Sequence, residues 1–103
     1  MTLVTTEDAA VPVPPPTVGR IVHYRLSEYD VEQINARRVP GVAESGNRVA
    51  AGDICAAVVV RTWGTTPGCA VNLQVLLDGD DSYWATSRCG GDADGQWSWP
   101  PRA

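Results

Sequence analysis

The sequence predicts a mainly β fold in which about five short antiparallel strands close into a small barrel. Three features of the 103-residue chain lead to this fold class. Short segments that alternate apolar and polar residues recur after residue 17, turn residues separate them, and only one segment carries the signals of a helix. A chain of this length forms one domain, here residues 18–103, preceded by an arm of residues 1–17.

The first 17 residues are predicted to be an extended, proline-rich arm. Prolines occupy positions 12, 14, 15 and 16. Because proline lacks the amide donor and restricts its own φ angle, this segment cannot continue a helix or an interior strand. An isolated arm of this kind is expected to be mobile, so a neighbouring subunit is the simplest partner that would hold it in place.

The first predicted strand, Val18–Arg25, leads into the one predicted helix, Glu28–Arg38. The residues on one face of this strand are Val18, Arg20, Val22 and Tyr24. Ser27 has the N-cap position of the helix, and Asp30, three residues later, completes a capping box. The apolar stripe of the helix is narrow, so we expect the helix on the surface of the body, followed by a loop over residues 40–53.

Four further strands are predicted in the second half of the chain. The first two are apolar enough to be central, and Asp78-Gly79 after them is a strong hairpin signal. A glycine-rich acidic loop, Gly90–Gly95, precedes the last strand. The four strands are Ile54–Trp63, Cys69–Leu77, Ser82–Ser87 and Gln96–Trp99. Together with one helical insertion they fit a small SH3-like or otherwise closed barrel, in which closure removes the exposed sheet edges.

Composition and charge disfavour several classes of function. Eight basic residues against twelve acidic ones give a net charge of −4, which works against general binding to nucleic acid or to an anionic membrane. The three cysteines contain no CxxC pair, so we expect reduced thiols in a cytosolic protein and neither a disulfide framework nor a zinc site. The sequence shows no signal-peptide pattern and no apolar run of membrane-spanning length.

The sequence also lacks the residue patterns of an enzyme's active site. His23 is the only histidine, and since no nucleophile motif accompanies it, we interpret it as a half-buried strand residue. The acids at 78, 80 and 81 and at 92 and 94 lack the other ligands of a calcium loop and are interpreted as turns. Gly90-Gly91 lacks the lysine of a phosphate-binding loop. We therefore predict a non-enzymatic protein with no catalytic residue, metal or cofactor.

Tryptophan and arginine are the remaining candidates for a ligand site. All eight basic residues are arginine, which reflects either a GC-rich genome or selection for planar, bidentate phosphate contacts. The four tryptophans either fill the core in place of the absent phenylalanines or line a groove in which a flat ligand stacks between indole and guanidinium. In the second case the predicted ligand-binding residues are Arg20, Arg61, Trp63, Trp84, Arg88, Trp97 and Trp99.

Three segments carry a resemblance to a known family. They are TVGRIVHY at 17–24, AAVVVRTWG and AVNLQVLLDG within 56–79, and YWATS and GQWSWPPR within 83–102. These segments resemble a family of small accessory proteins, without an assigned role, from phages of actinobacteria and related hosts. The succession of YWATS, an acidic loop and WxW is also similar to phage proteins that sequester nucleotide immune signals. The resemblance implies a phage protein and transfers no site residues.

Two hypotheses about function follow. The first is a homo-oligomeric binding protein that sequesters a nucleotide-type immune signal in the host cytoplasm, as a counter-defence protein. The second is an accessory protein of the virion, such as a capsid decoration or a head-tail accessory, that docks on capsid proteins through its N-terminal arm. Inhibition of a host protein through an aromatic face is a third possibility. The negative net charge counts against the first hypothesis, and an ordered arm suits the second.

Overall fold

The computed structural model of the protein describes residues 13–38 and 46–101. Within these ranges the chain forms one sheet of five antiparallel strands and one helix, which confirms the predicted mainly β class. The elements are β1 (Ile21–Arg25), α1 (Glu28–Arg37), β2 (Ile54–Thr62), β3 (Val71–Leu76), β4 (Ser82–Arg88) and β5 (Trp97–Ser98). Residues 1–12 of the predicted arm and 40–45 of the predicted loop lie outside the described residues.

The strands lie in the order β4-β3-β2-β1-β5, and each neighbouring pair is antiparallel. The sheet is therefore not closed by a continuous ladder, and β4 and β5 form its two edges. These edges nevertheless meet, because the chain that follows β4 makes an isolated parallel bridge from Gly90 to Trp97 of β5. The sheet thus curls around one face, as the predicted barrel would, and stops short of full closure.

The core fills the inner face of the curled sheet. The buried apolar side chains are Val22, Tyr24, Leu26, Ile34, Ala57, Val59, Val71, Leu73, Val75, Leu77, Tyr83, Ala85 and Trp97. Most follow the alternation of their strands, since successive residues of a strand point to opposite faces. The prediction for the start of β1 was wrong: Val18 and Arg20 are exposed, because a turn closed by the Arg20 N–H and the Thr17 carbonyl (3.2 Å) precedes the strand.

Helix α1 begins with the predicted capping box. The Ser27 hydroxyl accepts the backbone N–H of Asp30 at 3.1 Å, and the Asp30 carboxylate accepts the backbone N–H of Ser27 at 2.9 Å. The helix ends at Arg37, one residue before the predicted end. Ile34 is buried against the sheet, and so is Asp30, whose side chain has no exposed surface. A helix that buries a carboxylate must supply it with partners, which lie on the sheet.

Two β-bulges flank Asn72 in β3, one in the β2 pairing and one in the β4 pairing. The Asn72 amide oxygen accepts the indole N–H of Trp63 (3.0 Å) and the backbone N–H of Ser87 (2.8 Å). Ser87 has a positive φ of 58°, the left-handed conformation that glycine usually adopts in a G1 bulge. The bulge shifts the alternation of β4 by one position after Ala85. As a result Arg88, rather than Ser87, turns towards the interior of the fold.

Candidate ligand-binding site

An open groove with a volume of about 390 Å³ lies where the two sheet edges meet. Its lining is mainly apolar and is formed by Val13, Pro67, Gly68, Gly90, Gly91, Asp92, Trp97, Ser98 and Trp99. We call it the Trp99 groove. Its volume lies within the range of about 300–1,000 Å³ that is typical of small-ligand sites. Two of the predicted ligand-binding residues, Trp97 and Trp99, are therefore brought together in one concave surface.

Trp97 forms the inner wall of the groove and belongs to the core at the same time. Its side chain is 2% exposed, and its indole N–H donates to the carbonyl of Cys69 at 3.2 Å. The ring of Trp99 meets it edge to face, with centroids 5.8 Å apart and planes at 89°. Gly90 packs directly on the Trp97 indole, since a Cβ at this position would lie 3.3 Å from two of its ring atoms. The absence of a side chain at 90 thus lets the edges close on Trp97.

Trp99 connects the sheet to the end of the arm. Its indole N–H donates to the carbonyl of Pro14 at 3.0 Å, across 85 positions of sequence. The guanidinium of Arg20 lies over its ring, 4.8 Å from the centroid. Val13 lines the groove and Pro16 is buried, so the described end of the arm packs on the body of its own chain. The sequence led us to expect that a neighbouring subunit would hold the arm. In the structure, the body of the same chain contacts the described end of the arm.

The other predicted ligand residues lie outside the lining of the groove. Arg61 stacks on Trp63 with its guanidinium 4.0 Å from the ring centroid, and both side chains are exposed. Trp84 is 55% exposed on β4, opposite Gln74 of β3. These residues form exposed aromatic and cationic surface, whereas Trp97 fills the core. The sequence left open whether the tryptophans fill the core or lie on the surface. Trp97 fills the core, whereas Trp63 and Trp84 are exposed.

Arg88, also a predicted ligand residue, donates hydrogen bonds from all three of its guanidinium nitrogens to groups of its own chain. It forms an ion pair with Asp30 (Nη2 to Oδ1, 2.8 Å), donates from Nε to the Tyr24 hydroxyl (2.7 Å), and donates from Nη1 to the Thr86 carbonyl (3.0 Å). Asp30 also accepts the hydroxyls of Tyr24 (2.5 Å) and Tyr83 (2.8 Å). We call Asp30, Arg88 and the two tyrosines the Asp30 cluster. It ties α1 to β1 and β4.

The Asp30 cluster shifts the pKa values of its members. Burial by itself would raise the pKa of Asp30, but the hydrogen bonds from Tyr24, Ser27, Tyr83 and Arg88 outweigh it and lower the pKa below its usual value. Burial and the hydrogen bond to Asp30 raise the pKa of Tyr83 to about 12. The same two causes raise the pKa of Tyr24. The charged carboxylate and the neutral phenols are thus the forms that the fold stabilises.

These shifts predict the pH dependence of stability. The lowered pKa of Asp30 contributes stability above its unfolded value of about 3.9, and this contribution is lost as the pH falls below that value. The raised pKa of Tyr83 contributes stability below its unfolded value of about 10, and this contribution is lost between about pH 10 and pH 12. Melting temperatures measured across this range should therefore fall at both ends.

Two variants test the assignment of these pH effects. Asp30→Asn should flatten the acid decline, and Tyr83→Phe should weaken the alkaline one, because each removes a group whose pKa differs between the folded and unfolded states. For each variant, the melting temperature at each pH is subtracted from that of the wild type. The contributions of the other carboxylates, which both proteins share, then cancel. A wild-type acid slope retained by Asp30→Asn would contradict the assignment.

The remaining titratable residues do not gather into a second site in the part of the chain that the structure describes. His23 is half-buried on β1, as interpreted from the sequence. Cys55, Cys69 and Cys89 are free thiols. Across residues 13–38 and 46–101, no three His, Cys, Asp or Glu side chains are placed to hold a metal ion together. In the same ranges no helix is long and apolar enough to cross a membrane.

No protein-family model, curated protein or solved structure matches the chain. The resemblance to phage accessory proteins stays a prediction, and function is inferred below from the geometry of the Trp99 groove.

Sequence reasoning did not predict that the arm forms part of the groove. A signal for this contact is present in the chain: a proline-rich segment precedes a domain with surplus tryptophan, and aromatic grooves commonly bind proline-rich segments. Sequence reasoning likewise missed Pro67 and Gly68, which line the groove from the loop between β2 and β3. No local pattern places this loop beside β5.

Proposed function

We propose that the protein is a non-enzymatic binding protein, that the Trp99 groove is its ligand site, and that the ligand is a segment of a partner protein. The hydrogen bond from the Trp99 indole to the Pro14 carbonyl carries this proposal, because it puts polypeptide at the end of an apolar groove. Asp92 in the lining and the net charge of −4 favour a polypeptide over a polyanion. The described end of the arm, residues 13–16, lies against this docking surface.

In this proposal the protein is a phage accessory that docks on capsid proteins, as a capsid decoration or a head-tail accessory. Two contacts support a joint role of arm and body. Pro16 is buried, and Pro14 is held by Trp99, so a partner that meets the arm also meets the groove. Self-association into a homo-oligomer belongs to the same proposal, since a second copy presents the same surface.

Sequestration of a nucleotide-type ligand in the host cytoplasm is the second candidate function. The observation in its favour is the pair of arginine-tryptophan stacks, Arg20 on Trp99 and Arg61 on Trp63. An indole face can stack on a base, and a guanidinium can bind a phosphate through two parallel hydrogen bonds. The carboxylate of Asp92 in the groove lining repels the phosphates of such a ligand. This candidate therefore comes second.

The docking proposal predicts that Trp99→Ala reduces the number of copies per purified phage particle by tenfold or more. This substitution removes both the groove wall and the donor that holds Pro14. Trp84→Ala is the matched control, because Trp84 is an exposed tryptophan outside the groove. Quantitative mass spectrometry of particles gives the copy number, and circular dichroism confirms that both variants are folded. Equal incorporation of all three proteins would overturn the docking proposal.

Sequestration is tested by thermal melting with cyclic di- and trinucleotides and ADP-ribose derivatives. A ligand at about a hundred times its Kd stabilises the folded protein by about 2.7 kcal/mol, enough to raise the melting temperature of a small domain by several degrees. A shift for one nucleotide that Arg20→Ala abolishes would make sequestration the preferred function. If no nucleotide of the panel raises the melting temperature, sequestration is rejected as a function.

A further inference from the structure

We propose that the Trp99 groove recognises an extended proline-rich segment with a flanking basic residue, and that the chain's own arm occupies one end of the groove as an internal competitor. This inference rests on the proposed function and names the chemistry of the partner. It follows from three features of the groove: the indole donor of Trp99, the shape of the groove and its charge.

The donor is the indole N–H of Trp99. A polyproline II segment has no internal hydrogen bonds, so its carbonyls remain free to accept. Proline has no N–H to satisfy, and a receptor therefore needs to supply donors and flat apolar surface only. An indole supplies both, and the 3.0 Å bond from Trp99 to the Pro14 carbonyl shows the arrangement with the chain's own prolines.

The shape of the groove fits an extended segment. Trp97 and Trp99 meet at 89° and form a corner, and Pro67 and Gly68 line the groove as well. Val13 contributes to the lining and is 57% exposed, and the open volume beside it is about 390 Å³. The groove thus has room for further residues of an extended chain.

The charge of the groove selects a basic flank. Asp92 lies in the lining, and Asp94 follows in the same exposed loop. The sequence of the arm, residues 1–17, contains Glu7 and Asp8 and no arginine or lysine. The arm is thus a ligand with prolines that fit and charges of the wrong sign. A partner with the same prolines and a basic residue gains the interaction that the arm lacks.

Competition by the arm is intramolecular, so the arm is present at a high effective concentration. The apparent Kd for a partner is then the intrinsic Kd divided by the fraction of molecules whose groove end is free. Weakening the polyproline conformation of the arm should therefore tighten binding of a proline-rich peptide. Pro14→Gly combined with Pro15→Gly does this without changing the buried Pro16.

The test is a titration of the full chain with the synthetic peptide acetyl-Arg-Pro-Pro-Val-Pro-Pro-Val-Pro-Arg-amide, followed by calorimetry and by NMR of the indole N–H resonances. We expect saturable binding with a shift of the Trp99 resonance, which is identified by its loss in Trp99→Phe. Trp99→Phe also removes the bond that holds the arm, so its effect is measured in the Pro14→Gly/Pro15→Gly background. There it should weaken binding about three- to tenfold, because it keeps a ring and removes one hydrogen bond. Trp84→Phe should bind as the wild type does, and Pro14→Gly/Pro15→Gly more tightly.

Two control peptides complete the test. Replacing both arginines by glutamate should weaken binding about tenfold or more, and replacing every proline by glycine should abolish it. The inference is overturned by an absence of binding at millimolar peptide, by equal binding of the glycine peptide, or by an affinity that Trp99→Phe leaves unchanged in the Pro14→Gly/Pro15→Gly background. If peptides fail while particle incorporation still depends on Trp99, the groove is a docking site for another kind of segment. If neither depends on Trp99, the proposed function fails as well.

Discussion

Replacement of Asp30 by alanine is expected to lower the free energy of unfolding by about 3–5 kcal/mol, as the loss of one partner from a buried ion pair commonly does. Asp30 has no exposed surface and accepts hydrogen bonds from Tyr24, Tyr83 and Arg88. Its removal leaves a guanidinium and two phenols without their acceptor, and it also removes the capping box with Ser27. A small domain has only about 5–15 kcal/mol of stability in total, so this single change removes a large part of it.

Asp81→Ala is the matched control for Asp30→Ala. Asp81 pairs with Arg38 at 2.8 Å and so ties the C-cap of α1 to the residue before β4, but the side chains are 24% and 16% exposed. We expect a loss of about 1 kcal/mol or less, the usual range for pairs that water reaches. Urea unfolding followed by circular dichroism measures both. A loss in Asp30→Ala no greater than in Asp81→Ala would show that the Asp30 cluster does not hold the helix on the sheet.

Trp97→Ala should have the second large effect, a loss of about 3–5 kcal/mol from the cavity left by a buried aromatic side chain. Trp97 is 2% exposed, carries the bridge between the sheet edges, and donates to the Cys69 carbonyl. Without the indole, Gly90 loses the ring on which it packs, and the contact between the two edges is reduced to backbone hydrogen bonds. The variant should therefore unfold at lower urea concentration and lose the groove.

The exposed Trp84 provides the comparison for Trp97. At 55% exposure its replacement by alanine should change the free energy of unfolding by about 0.5–1 kcal/mol at most, because its ring is largely in water in the folded state too. Trp97→Phe separates packing from hydrogen bonding, since it retains a ring and loses the bond to Cys69. If Trp97→Ala and Trp84→Ala were equally stable, the core assignment of Trp97 would be wrong.

Most elements of the fold were predictable because their signals are local. The capping box at Ser27 and Asp30 marked the start of α1, and alternation marked the inner face of β3. Both rest on backbone geometry that a few neighbouring residues determine, namely the orphan N–H groups of a helix start and the two-residue repeat of a strand. The prediction failed at Val18, because the alternation of residue types continues through the turn that precedes β1. Alternation alone therefore placed the start of the strand too early.

The candidate site was predicted only in part. The sequence singled out Trp97 and Trp99, since both fall in the predicted strand Gln96–Trp99. It did not separate them by burial, and it did not place the arm on Trp99, because that bond joins residues 85 positions apart. Arg88 shows the limit most clearly: a bulge in β4 turns it inward, and a bulge depends on the pairing with β3, not on the residues of β4 alone.

The sequence by itself determined the fold class, the helix start, the strand faces and the residue types available for binding. Those properties depend on interactions within a few residues, which leave a periodic pattern. Only the tertiary structure decided which tryptophan is core and which is only part of a groove, where Asp30 finds its partners, and that residues 13–16 of the arm lie on their own domain. Burial, ion pairing and the indole contact of Pro14 join distant parts of the chain, so they exist only once the sheet has curled and brought its edges together.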